Sequence, residues 1–73
     1  MQEKTVPIDT DYITLGQLLK LTDAVNSGGQ VKAFLAEAHI LVNGEEENRR
    51  GKKLYPEDRV EINGLHSFVI ARS

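Results

Sequence analysis

Four of the nine basic residues fall within five positions, as Arg49, Arg50, Lys52 and Lys53. Arginine presents a planar fork that matches phosphate oxygens, and lysine supplies a compact point charge. Without these four, the chain carries five basic and 11 acidic residues, a net charge of -6 against -2 for the whole. An acidic body with one basic spot points to a polyanionic partner. The plainer alternative is a solvated loop whose positive charges offset Glu45, Glu46 and Glu47 just upstream. A second possible anion site is Ser27-Gly28-Gly29-Gln30, which has the form of a capping box. A helix opening there would present amides without intrahelical partners and the positive end of its dipole. Two glycines would let a phosphate approach the backbone with no Cβ in the way. The alternative is an ordinary flexible cap. Lys20 and Lys32 lie on the flanks of the two helices expected here and would widen the positive surface.

Other chemistry lacks its residues. With no cysteine, disulfides, thiolate metal sites and thiol nucleophiles are excluded. His39 and His66 are the two histidines; with no clear carboxylate partner in the sequence, they predict no metal site. Ser27, Ser67 and Ser73 sit in no nucleophile motif, and the acidic run 45–47 reads as exposed carboxylates rather than general acids. No phosphate-loop motif appears. The expectation is a non-catalytic protein with no cofactor and no small-molecule substrate. Of the aromatic residues, Phe34 and Phe68 are expected in the core, leaving Tyr12 and Tyr55. That predicts no stacking platform and disfavours sequence-specific reading of single strands. No apolar run approaches the ~20 residues that span a bilayer. The start, MQEKTVPIDTDY, lacks a signal-peptide layout. A soluble, cytoplasmic protein with no membrane partner is expected.

The elements that must position these residues follow from periodicity. Val6 and Ile8 alternate around Pro7, as in a short edge strand. Thr14-Leu15-Gly16-Gln17 is a capping box. Leu15, Leu18 and Leu19 then mark one face of a short helix ending near Thr22. A turn over 23–29 leads into a second helix with Val31, Phe34 and Leu35 on its face. From Ile40 the period becomes two, through Val42 to Asn43-Gly44, a strong turn signal. A polar stretch over 45–53 and a turn on Pro56 follow. Val60 and Ile62 alternate up to Asn63-Gly64, and His66, Phe68 and Ile70 share one side of a last strand. The fold class is α+β: two short helices in a helix-turn-helix pair packed on a small, mainly antiparallel sheet. At 73 residues this is one domain with a lean core.

The order of these pieces resembles the RNA-binding domain named after bacterial ribosomal protein S-four, whose helix pair and following strand form the αL motif. That family opens its second helix with Ser-Arg and continues with Gly-x-Val-x-Val-Asn-Gly. Here Ser27 matches the serine, and Ile40, Val42, Asn43 and Gly44 match the strand and turn. Residues 13–20 resemble the family's first helix; Gly51-Lys52-Lys53-Leu54 and Asp58-Arg59-Val60 resemble its closing turn and strand. The likeness spans residues 12–63. It is closest to the small stand-alone bacterial proteins of the YaaA or YbcJ type, each a single such domain with no catalytic partner. Three departures stand out: Gly28 replaces an arginine, Ala38 a glycine, and Glu57 a glycine before Asp58.

The resemblance implies binding of structured RNA, ribosomal RNA or a ribosomal subunit above all, in the ribosome or its assembly; a monomer is expected. The residues expected to carry binding are Lys20, Ser27, Gly28, Gly29, Gln30, Lys32, Arg49, Arg50, Lys52 and Lys53. Folded RNA would be read by shape and backbone, because the deep major groove of an A-form helix is closed to side chains. One rival is a protein-interaction module docking its basic loop on an acidic protein surface. A β-grasp sulfur carrier is set aside, since such carriers need a free Gly-Gly terminus and this chain ends Ile70-Ala71-Arg72-Ser73. Duplex DNA is disfavoured because neither helix carries enough base-reading side chains.

Overall fold

Thr14 starts the first helix, as its capping box predicts. Its hydroxyl accepts from the Gln17 amide (3.3 Å), and Gln17 Oε1 accepts from the Thr14 amide (2.8 Å). The computed structural model describes residues 2–22, 24, 25 and 28–73. Helix α1 spans Leu15–Leu21 and ends at Thr22, whose hydroxyl donates to the Leu18 carbonyl. Seven residues are too few for a helix to stand alone in water. Burial supplies the rest: Leu15, Leu18 and Leu19 are 0% exposed, each contributing about 2 kcal/mol. Helix α2 spans Gly28–Glu37, with Val31 and Leu35 buried and Phe34 partly so. Ser27, the expected cap of α2, lies outside the described residues.

The strands are β1 (Gln2–Ile8), β2 (Ile13–Thr14), β3 (Ile40–Val42), β4 (Glu45–Glu46), β5 (Lys53–Leu54), β6 (Arg59–Ile62) and β7 (His66–Arg72). Five of them form one sheet in the order β1-β7-β6-β3-β4. Its pairings are antiparallel except β1 with β7, which is parallel. The α+β, mainly antiparallel expectation therefore stands, with Pro7 on an edge strand where a missing N–H is tolerated. Val6, Ile40, Val42, Val60, Ile62, Phe68 and Ile70 are buried, with the helix leucines in the same core cluster. Of their strand neighbours, Leu41, Glu61 and Val69 are half-buried and Ser67 is buried. His66 shares the parity of Phe68 and Ile70 but lies exposed at the strand's start.

Both Asn-Gly turns take the left-handed backbone their residues allow. Asn43 and Gly44 have φ of 52° and 85°, Asn63 and Gly64 of 53° and 65°. Each asparagine side chain also bonds a distant segment. Asn43 Oδ1 accepts from the Arg59 amide, and its Nδ2 donates to Asp58 Oδ1 (both 3.0 Å). Asn63 Oδ1 accepts from the His39 amide (2.8 Å), locking the exit of α2 to the last hairpin. The His39 ring meets Glu46 Oε1 at 3.1 Å, a carboxylate partner that the sequence did not suggest.

The polar stretch 45–53 is more structured than its composition suggests. β4 completes a hairpin with β3, and β5 pairs with β2 in a separate two-stranded ladder. Two-residue strands carry no hydrophobic period, so only their partners reveal them.

Candidate nucleic-acid interface

The basic loop is clamped to the first helix through its backbone. The first amides of a helix have no partner within it. Here the Leu15 amide donates to the Lys52 carbonyl and the Gly16 amide to the Arg50 carbonyl, both at 2.9 Å. Gly16 lies at this close approach, where a Cβ would still find ordinary contact distances. A Cβ built on it would lie 3.4 Å from the Arg50 carbonyl oxygen, 3.5 Å from Arg50 Cβ and 3.5 Å from Val31 Cγ1. The loop, the start of α1 and the first turn of α2 thus meet at one point.

Arg50 occupies that junction. On one side it lines a depression of about 240 Å³ with Thr14, Gln17, Lys20 and Val31. On the other it lines one of about 390 Å³ with Lys32, Leu35, Ala36 and Asn48. Lys20 from α1 and Lys32 from α2 therefore flank Arg50 from opposite sides, and all three are exposed. Lys52 is half-buried beside the clamp. Gly28 and Gly29 open α2; Gly29 has open space where a Cβ would stand, so the fold itself does not demand glycine there. Gln30 is exposed in the same turn.

The arginines differ sharply in their partners. Arg59 pairs with Glu3 at 3.1 Å and Arg72 with Asp11 at 3.5 Å. Arg49 forks onto Glu47 through Nε (2.9 Å) and Nη2 (3.2 Å), and its amide donates to the same carboxylate. Those bonds hold the Glu47 carboxyl down at about 2 and raise the Arg49 guanidinium, so the pair stays ionised through neutral pH. The offset between acidic and basic runs is real, but it falls on Arg49 alone. Among the described residues Arg50 is the one arginine without a carboxylate partner.

Lys53 turns another way. Its Nζ lies 5.0 Å from the centroid of the Tyr12 ring, and the Tyr12 and Tyr55 rings are 5.7 Å apart at a 46° tilt. Gly16, Glu47 and this tyrosine pair were not marked as site residues by the sequence. Gly16 stood there as part of a helix pattern, and a distance between Tyr12 and Tyr55 cannot be read without the β2–β5 register.

A helix pair packed against a sheet, with a cationic loop fastened to the capped first helix, defines a small α+β module. The chain belongs to the S4 domain family, whose pattern matches residues 6–70. The match runs past the expected 12–63 to take in Val6 of β1 and Ile70 of β7, so the outer strands belong to the family fold. The chain is similar to "Probable ribosome maturation protein RlbA" of Bacillus subtilis (strain 168). The two are 57% identical over 65 residues, 89% of this chain and 92% of that one.

Proposed function

We propose that residues 1–73 form one non-catalytic S4-type domain that binds structured ribosomal RNA in the cytoplasm and acts, as a monomer, in ribosome maturation. The observation that carries this reading is Arg50: unpaired with any carboxylate among the described residues, and seated between Lys20 and Lys32 at the junction of loop and helices. Lys52, and the Gly28-Gly29-Gln30 opening of α2 with Ser27 before it, extend the surface along which a phosphate backbone would run. Arg49, held by Glu47, shapes the loop and adds its outward N–H groups. The S4 family and the ribosome-maturation name of the Bacillus relative support RNA of the ribosome over other polyanions. An interface built from backbone-directed cations suits recognition by shape.

The test is co-sedimentation with ribosomal subunits and with protein-free ribosomal RNA. Arg50→Gln should weaken both several-fold, and replacing Arg49, Arg50, Lys52 and Lys53 together by glutamine should abolish both, with circular dichroism unchanged. A complex that survives RNase digestion and is indifferent to Arg50 would instead mark a protein partner and overturn the reading.

A further inference from the structure

The β2–β5 ladder pairs Ile13 with Leu54 and Thr14 with Lys53. Continuing that antiparallel register by one step brings Tyr12 opposite Tyr55. Side chains alternate across a ladder: Ile13 and Leu54 turn inward and are buried. Tyr12, Tyr55 and Lys53 therefore share the outward face, as the ring and cation distances confirm. Tyr12 is 38% and Tyr55 47% exposed, large aromatic surface for so small a protein. The Thr10 hydroxyl donates to the Tyr12 carbonyl at 2.8 Å, and the Tyr55 amide donates to Asp58 Oδ2 at 2.8 Å, so both backbones are fixed. Two of the neighbouring acidic groups are engaged elsewhere: Asp11 with Arg72, and Asp58 with Asn43 and the Tyr55 amide.

We propose that this outward face is a base-stacking subsite for an unpaired nucleotide of the RNA, resting on the reading above. The base stacks on Tyr55. Tyr12 backs Tyr55 and holds the Lys53 ammonium over its own ring, where it meets the phosphate next to that base. Lys53 follows Lys52 directly, and the Lys52 carbonyl is bonded to α1. The tyrosine face therefore adjoins the Arg50 loop through the successive residues Lys52 and Lys53. The site takes a flipped or terminal nucleotide next to a duplex, and it tolerates any base, because every base has a π-face.

The chain reports on this site directly, because it has two tyrosines and no tryptophan. Fluorescence excited at the long-wavelength edge of the tyrosine band, where Phe34 and Phe68 do not absorb, arises at Tyr12 and Tyr55. The probes are a blunt RNA hairpin and the same hairpin extended by a few unpaired nucleotides. The extension should quench tyrosine emission and tighten binding by about tenfold. Tyr55→Leu should remove that gain and leave affinity for the blunt hairpin unchanged, while Tyr55→Phe should keep it. Tight binding of the blunt hairpin, with neither gain nor quenching from the extension, would overturn the subsite and leave the RNA reading standing. Failure of both hairpins to bind at low salt would overturn that reading and the subsite with it.

Discussion

Glu57 sits at φ 80°, a region that side chains other than glycine and asparagine rarely enter. It is the third residue of the turn Tyr55-Pro56-Glu57-Asp58, closed by the Asp58 amide donating to the Tyr55 carbonyl at 3.0 Å. Proline second with a left-handed third residue is the type II pattern, in which glycine is favoured. Glu57 is one of the positions where the chain departs from the family's glycine, and the turn shows what that departure involves. The turn persists because it is held from outside: the Glu57 amide donates to the Ile70 carbonyl at 2.7 Å, and the Ile70 amide to the Asp58 carbonyl at 2.9 Å. Glu57→Gly should relieve the strain and stabilise the protein by about 1 kcal/mol, net of the extra freedom glycine gives the unfolded chain. Chemical denaturation of the two proteins would measure it, and a destabilised variant would show that the bonds to β7, not the residue type, govern the turn. Asn43 is the opposite case. Its left-handed backbone and its two side-chain bonds both serve the fold, which accounts for the Val-Asn-Gly element with no contact to a ligand.

Among the elements, the junction of α1 with the basic loop is where packing and binding become inseparable. Gly16 is buried within the first turn of α1, against Arg50 and Val31. Contacts of 3.4–3.5 Å to a built Cβ are ordinary van der Waals distances, so alanine fits. Gly16→Ala should be neutral or stabilising by up to about 1 kcal/mol, through helix propensity. A valine places two further carbons where the Arg50 backbone and Val31 already stand. Gly16→Val should destabilise by about 1–3 kcal/mol and, by pushing the loop off the helix, weaken RNA binding more than the stability loss explains. Thermal melts beside binding titrations would separate the two effects; equal behaviour of the alanine and valine variants would mean that loop and helix are not packed as described. The helices themselves were legible in advance, because a capping box and an i, i+3, i+4 leucine face are local signals. So were the two Asn-Gly turns. The clamp was not. It uses main-chain groups, and carbonyls leave no mark on residue types. The Tyr12–Tyr55 pair escaped notice for a related reason: the two residues, 43 positions apart in the chain, meet only through the β2–β5 register.

At the scale of the whole molecule, net charge and local charge make opposite forecasts. A protein of charge -2 treated as a single body is repelled by RNA, and added salt would screen the repulsion and strengthen binding. The arrangement of charges argues otherwise. Among the described residues the carboxylate-paired arginines contribute little outward field. The remaining cations, Lys4 apart, gather at the loop and the two helices. The molecule measures 29 × 24 × 19 Å, while charges in water are screened over about 8 Å at physiological ionic strength. Acidic residues that alternate away from the core on β6, such as Glu61, are therefore largely screened from a phosphate at Arg50. Neutralising about four phosphates releases their counterions, so the logarithm of affinity should fall with the logarithm of salt at a slope of about -3. Arg50→Gln should reduce the steepness by about one unit. Glu61→Gln should leave the slope unchanged near physiological salt and raise affinity only in dilute buffer, where the Debye length of about 30 Å exceeds the molecule's own size. Titrations from dilute to physiological salt would show either sign plainly. Affinity that rises with salt would mean the acidic body governs the encounter, and the loop's four cations would then serve the fold alone.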